Sequence, residues 1–204
     1  MAKTVCLALT GASGMAYGVR LLECLLAADC RVQLLYSQVA QVVARQEIGL
    51  ELPTRADEAR TLLRERYRDL PGRLEVHGRE EWFAPMASGS NPPDAMVVCP
   101  CSMGTLAAVA QGLASKLIER AADVTIKEGR QLILVPRETP LSAIHLENML
   151  RLSRAGAVIL PPNPGFYHHP RRVEDLVDFV VARILDQLRV PHTLIRRWGD
   201  GGSP

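Results

Sequence analysis

The chain has 204 residues, 48% of them hydrophobic and 23% charged, with a formal net charge of +2. That length suits one domain with a sizeable core, and the near-neutral balance gives no reason to invoke nucleic acid or an anionic membrane as partner. No apolar stretch is long enough to cross a bilayer, and five cysteines spread over the chain do not resemble a disulfide framework.

In chain order, residues 4–9 (TVCLAL) read as a buried strand. The turn GASG follows, and a helix carries Val19, Leu22 and Leu26 at helical spacing. Residues 31–37 are a second strand, with a helix near 38–46. An amphipathic helix is expected over 54–67, with Thr54 as its N-cap. A short strand near 73–77 leads into a loop containing ASGSNPP, then a buried strand over 94–100. Helices follow Ser102 and cover 117–129; then come the strand 131–136, a helix near 141–153, a strand over 157–161 and a last helix over 173–188. The strands are apolar throughout and alternate with helices, the pattern of a parallel sheet covered on both faces. The expected fold is therefore a single doubly wound α/β domain of Rossmann-like or flavodoxin-like type, residues 1–190, with a C-terminal tail over 191–204 whose end, RRWGDGGSP, is expected to be mobile. The first apolar run is too short for a signal peptide and leads straight into a glycine turn, so the protein is read as cytoplasmic.

Ligands of such sheets bind at the carboxyl ends of the strands. Five such ends carry small, hydroxyl or charged residues: Gly11-Ala12-Ser13-Gly14, Ser37, Ser102-Met103-Gly104-Thr105, Arg137-Glu138 and the PGFYHHP loop. They are expected to converge on one crevice. A helix start with a serine beside it suits a phosphate or another electron-rich group, although a plain tight turn explains GASG equally well. Its glycines, at 11, 14 and 18, do not make the dinucleotide fingerprint. Ser102 is also a natural N-cap. Of the basic residues Arg120, Lys127, Arg137 and Arg183, Arg137 stands out because a strand end leaves little room for a solvated charge, and arginine forks onto phosphate oxygens. Glu138 is either its ion-pair partner or a proton donor. His168 and His169 are adjacent and lack further ligands, Cys99 and Cys101 likewise, so no metal is expected. His145 falls on a helix as a structural or surface residue.

The segments LTGASG, DAMVVCPCSMGTLAAVA, ERAADVTIKE, LVPRETPLSAIHLENMLRL, GAVILPPNPGFYH and VEDLVDFVVARILDQL, in this order, resemble the flavin prenyltransferase (UbiX-type) family along nearly the whole chain. The resemblance implies an enzyme that joins the dimethylallyl group of dimethylallyl phosphate to N5 and C6 of reduced flavin mononucleotide (FMN). The product, prenylated FMN, is the cofactor of UbiD-type decarboxylases, in ubiquinone synthesis or in breakdown of aromatic acids. It further implies a metal-independent homododecamer with the site where subunits meet. Carried over by position, Gly11, Ala12, Ser13, Ser37, Ser102, Met103, Gly104, Thr105 and Arg137 contact the flavin nucleotide. Lys127, Arg137, Tyr167 and Arg183 hold the prenyl phosphate, with Arg120 beside them. Trp82 walls the prenyl group, with Ser88, Gly89 and Ser90 in the same loop. Glu138, Glu47 and Ser13 sit at the reacting centre, Glu47 in the least distinctive segment. The alternatives are an FMN-dependent cysteine decarboxylase of the same fold, whose early catalytic histidine is missing because none precedes His77, and a flavin carrier without chemistry.

Overall fold

Six short runs of β-branched and aliphatic residues assemble into one parallel sheet in the computed structural model, which describes residues 2–196. The strands are β1 (Thr4–Leu9), β2 (Arg31–Tyr36), β3 (Arg73–Val76), β4 (Ala95–Cys101), β5 (Gln131–Pro136) and β6 (Val158–Ile159), in the order β3-β2-β1-β4-β5-β6. The helices are α1 (Met15–Ala27), α2 (Gln38–Ile48), α3 (Ala56–Arg66), α4 (Met103–Ala110), α5 (Leu117–Lys127), α6 (Ala143–Arg154) and α7 (Val173–Leu188), with a 3-10 turn over Pro85–Ala87. Every pairing is parallel, with Val5 opposite Val32 on one side and Ala95 on the other. The doubly wound reading holds, and the strand order is the Rossmann one.

Alternate strand residues face two cores. Val5, Leu7, Leu9, Val97 and Ile133 join Leu21, Leu25, Val181 and Ile184 on the side of α1 and α7. Cys6, Ala8, Met96, Val98 and Leu134 join Leu106, Leu117, Ala121 and Met149 on the side of α4, α5 and α6. Apolar side chains on both faces are what make the strand runs continuous rather than alternating. Gly18 lets α1 lie directly on the sheet: a Cβ there would stand 2.4 Å from the Cys99 carbonyl oxygen.

Some boundaries differ from expectation. The helix predicted over 54–67 begins at Ala56, with Arg55 at the cap position and no side-chain cap. Thr54 is not the cap; its hydroxyl accepts from Gln41 Nε2 at 3.4 Å, while Asp57 and Glu58 occupy the first turn. β6 keeps two of the five residues expected. Beyond α7, Leu194 and Ile195 pack on the α1–α7 core and His192 Nε2 meets Asp186 Oδ1 at 3.1 Å, so the predicted tail is docked at its start; residues 197–204 lie outside the described residues. All five cysteines are unpaired; burial pushes Cys6 and Cys101 up to about 12 and Cys24 up to about 11, which leaves them inert thiols. His145 is structural: its N–H donates to the Ser142 hydroxyl while its Nδ1 accepts from the Ser142 N–H, both at 3.3 Å. Among the described residues no helix is long and apolar enough to cross a membrane.

Candidate active site

The sheet order reverses between β1 and β4, and the crevice of a doubly wound sheet opens at that point. One residue that the sequence reading missed binds the two strand ends together. Thr10, 1% exposed, donates its hydroxyl to the Pro100 carbonyl at 2.8 Å and accepts from the Ser102 N–H at 2.8 Å. Its own N–H also donates to Pro100 O, at 3.2 Å. Thr10 thus sets where α4 begins relative to the Gly11–Ser13 turn.

Two helices start at this reversal, and they are filled differently. At α1 the N–H groups of Gly14 and Met15 donate to the Glu47 carboxylate, at 3.0 and 2.8 Å. The electron-rich group expected at this turn is therefore supplied from within the chain. Burial pulls the Glu47 carboxyl up, but the Ser13 hydroxyl, these two N–H donors and the Arg137 charge outweigh it and hold it below the usual range. The helix dipole favours the same charged state. At α4, Ser102 is the N-cap as expected: its Oγ accepts from Thr105 N at 3.3 Å and lies 3.1 Å from Thr105 Oγ1. The N–H groups of Met103 and Gly104 are left without an intrahelical acceptor. Gly104 borders open space, with nothing within 4 Å of where a Cβ would stand.

Ser37 caps α2, accepting from Ala40 N at 3.1 Å. Gly11 abuts the same helix, since a Cβ on it would lie 2.4 Å from Val39 Cγ1. At the end of β5, Arg137 donates its N–H to Cys101 O at 3.3 Å, which ties this end to β4. Its Nε is buried without a partner among the described residues, an unmet cationic donor. Glu138 is exposed and accepts from the Thr139 N–H at 3.2 Å; among the described residues it forms no ion pair with Arg137. An orphaned guanidinium nitrogen, a helix start with open donors and a glycine edge fit a flat ligand carrying a phosphate.

Comparison with known proteins agrees. The family model described as Flavoprotein matches residues 1–185. A flavin prenyltransferase UbiX of Pseudomonas aeruginosa is 55% identical over 96% of this chain and 94% of its own. The chain belongs to the flavin prenyltransferase family. The crystal structure of AnUbiX (PadA1) with FMN and dimethylallyl pyrophosphate aligns at a TM-score of 0.87 and 39% identity, covering 99% of this chain and 100% of that one. A dodecameric FMN-dependent UbiX-like decarboxylase from Escherichia coli O157:H7 aligns at 0.84 and 42%, covering 96% and 98%.

The remaining residues carried over from the family resemblance do not come together within one chain. Arg120 and Lys127 lie on α5, on one face of the sheet; Tyr167 and Arg183 lie on the other, the Tyr167 ring edge-on to Phe179 of α7 at 5.8 Å. Lys127 ends α5 just before β5 begins, which places it toward the amino edge of the sheet, away from Arg137. Within one chain the six-stranded sheet thus stands between Arg120 and Lys127 on one side and Tyr167 and Arg183 on the other. Each cation has a carboxylate of its own, Lys127 with Glu128 at 2.6 Å, Arg183 with Asp186 at 2.8 Å and Arg120 with Asp123 at 2.9 Å. Arg120 also donates to the Ala87 carbonyl at 3.0 Å, and Gly89 is seated against the Lys127–Glu128 pair, where a Cβ would stand 2.0 Å from Glu128 Oε1. Ser88 and Ser90 share a hydroxyl contact of 2.9 Å in the same loop. Trp82, earlier in that loop, is 45% exposed and its neighbour Phe83 wholly so.

Proposed function

We propose that this chain transfers a dimethylallyl group from dimethylallyl phosphate to N5 and C6 of reduced FMN. The observation that carries the reading is the buried Arg137 Nε, unpartnered among the described residues, beside the open start of α4, with Glu138 next in the chain. FMN lies along Gly11–Ser13, Ser37, Ser102–Thr105 and Arg137, and as the reduced flavin it supplies the two nucleophilic positions. Arg137 and the α4 N–H groups bind phosphate charge. Ser13, held by ionised Glu47, orients the ring edge. Glu138 gives and takes a proton near the leaving phosphate. Fixed cations in a dry crevice lower the barrier to leaving-group departure, and Trp82 shelters the allylic group from water.

Lys127, Arg120, Tyr167 and Arg183 act from neighbouring copies in a homo-oligomer, a dodecamer. The exposure of Phe83 on one side and of Phe166 and Tyr167 on the other supports this, because exposed aromatic side chains suit burial by other subunits. The product goes to a UbiD-type decarboxylase, and the unpaired cysteines suit the cytoplasm. Anaerobic incubation with reduced FMN and either dimethylallyl phosphate or the pyrophosphate, followed by mass spectrometry, tests the reading. The expected product is a flavin heavier by the prenyl group; unchanged flavin with both donors overturns it. Glu138→Ala is expected to slow turnover by roughly 100-fold or more with FMN binding kept, and full activity removes Glu138 from the mechanism.

A further inference from the structure

His77 directly follows β3 and opens the loop that carries Trp82. Its N–H donates to Leu34 O at 3.0 Å, and its ring, with the side chain 11% exposed, is held between two carboxylates. His77 Nδ1 is 2.9 Å from Glu81 Oε1, and Nε2 is 3.9 Å from Glu75 Oε2. Glu81 is the hub of the following turn. Its Oε2 accepts from Gly78 N at 2.9 Å, its own N–H donates to Gly78 O, and its carbonyl accepts from Ala84 N at 2.9 Å. Trp82 is the next residue and donates its N–H to Glu80 O.

A neutral imidazole carries one N–H. On Nδ1 it satisfies Glu81 and leaves the Nε2 lone pair buried and facing Glu75; Nε2 indeed has no hydrogen-bond partner among the described residues. On Nε2 it leaves the Nδ1 lone pair against a carboxylate oxygen at 2.9 Å, which is repulsive. Only the imidazolium presents a donor to both sides. A further buried acceptor, Gln33 Oε1, lies on the same face of neighbouring β2 without a partner among the described residues. The other charges around the cluster are Arg31 of β2, which grips Glu75 at 2.7 Å, and Arg60 of α3, which together with His77 and the Gly78 N–H offsets the upward pull of burial and holds the Glu81 carboxyl below its usual range.

We propose that His77, acting through Glu81, is a positioning residue for Trp82: protonated, it locks the turn of residues 77–84 that aims the indole, and deprotonated, it loosens it. The proposal rests on the reading of Trp82 as a wall of the prenyl pocket. The chain has two tryptophans, Trp82 and Trp198, so Trp198→Phe leaves Trp82 as the sole tryptophan, read with excitation selective for indole. Acrylamide quenching of that emission is expected to be about twofold higher at high pH than at low pH, through a single-proton transition. His77→Phe in the same background removes the transition and holds quenching at the high-pH level. Should that variant fail to fold, Glu81→Gln serves instead, with the same flattening expected. Quenching that does not change with pH, or that keeps its profile in either variant, overturns the clamp. At pH 6, His77→Phe is also expected to raise KM for dimethylallyl phosphate about 3- to 10-fold with kcat within about twofold, the loss of uniform binding. The expected quenching profile with an unchanged KM upholds the clamp and overturns the place of Trp82 in the pocket.

Discussion

The starts of α1 and α4 lie side by side at the sheet reversal, both glycine- and serine-rich, yet they do opposite things. The α1 start carries its own anion, Glu47, from 33 residues downstream. The α4 start has Ser102 as its cap and otherwise opens outward. A helix start is an anion site only where the protein has not already filled it, and which of the two is filled depends on a side chain remote in sequence.

Making α4 resemble α1 is the strongest way to break the comparison. Gly104→Asp places an acid in the first turn of α4. The position has open space for it, and aspartate there suits both helix propensity and dipole. Thermal stability is expected to hold or rise slightly, while like-charge repulsion weakens FMN binding roughly 100-fold or more, since such contacts cost several kcal/mol. Calorimetric titration with FMN checks it; undiminished affinity would place the phosphate elsewhere.

Next in size is Thr10→Val, which keeps the volume and removes the hydroxyl that joins the two starts. The buried Ser102 N–H then has no acceptor, at a cost of about 2–3 kcal/mol, or roughly 5–10 °C in melting temperature for a chain of this size. FMN affinity should fall with it, roughly tenfold, because the α4 start shifts relative to the Gly11 turn. An unchanged melting temperature would mean the two starts are held together by packing alone.

The smallest effect is expected from Glu47→Gln, which keeps the shape and removes the charge at α1. The folded-state carboxyl lies below the ordinary value of 4.5, so its ionised form stabilises the fold above the unfolded pKa. The wild-type advantage should be present at pH 6, at most a few degrees for a group partly open to solvent. It should fade as the pH falls through the lowered folded value. A melting-temperature difference between the two proteins that stays constant from pH 3 to 7 would show that Glu47 is not held as the anion.

The local readings that survived were those with local causes. Ser102 caps α4 because its acceptor is three residues away. The strands run as expected because aliphatic runs flanked by helices have one way to be covered on both faces. Thr54 misled because its hydroxyl bonds Gln41 of α2, so the helix begins two residues later. Thr10 escaped notice because a threonine after a strand has no distinctive spacing; its partners are 90 and 92 residues away. Glu47 was visible only through the family resemblance.

The amino-acid sequence by itself determined the layered α/β architecture, the family, and which strand ends carry small, hydroxyl and charged residues, because periodicity, capping and residue order are properties of neighbours along the chain. The tertiary structure alone decided which helix start is already occupied, that Thr10 joins the two, and that Lys127 and Arg120 lie across the sheet from Tyr167 and Arg183. Those outcomes depend on strand order and on which face each helix covers, and such long-range placement leaves no mark in local spacing.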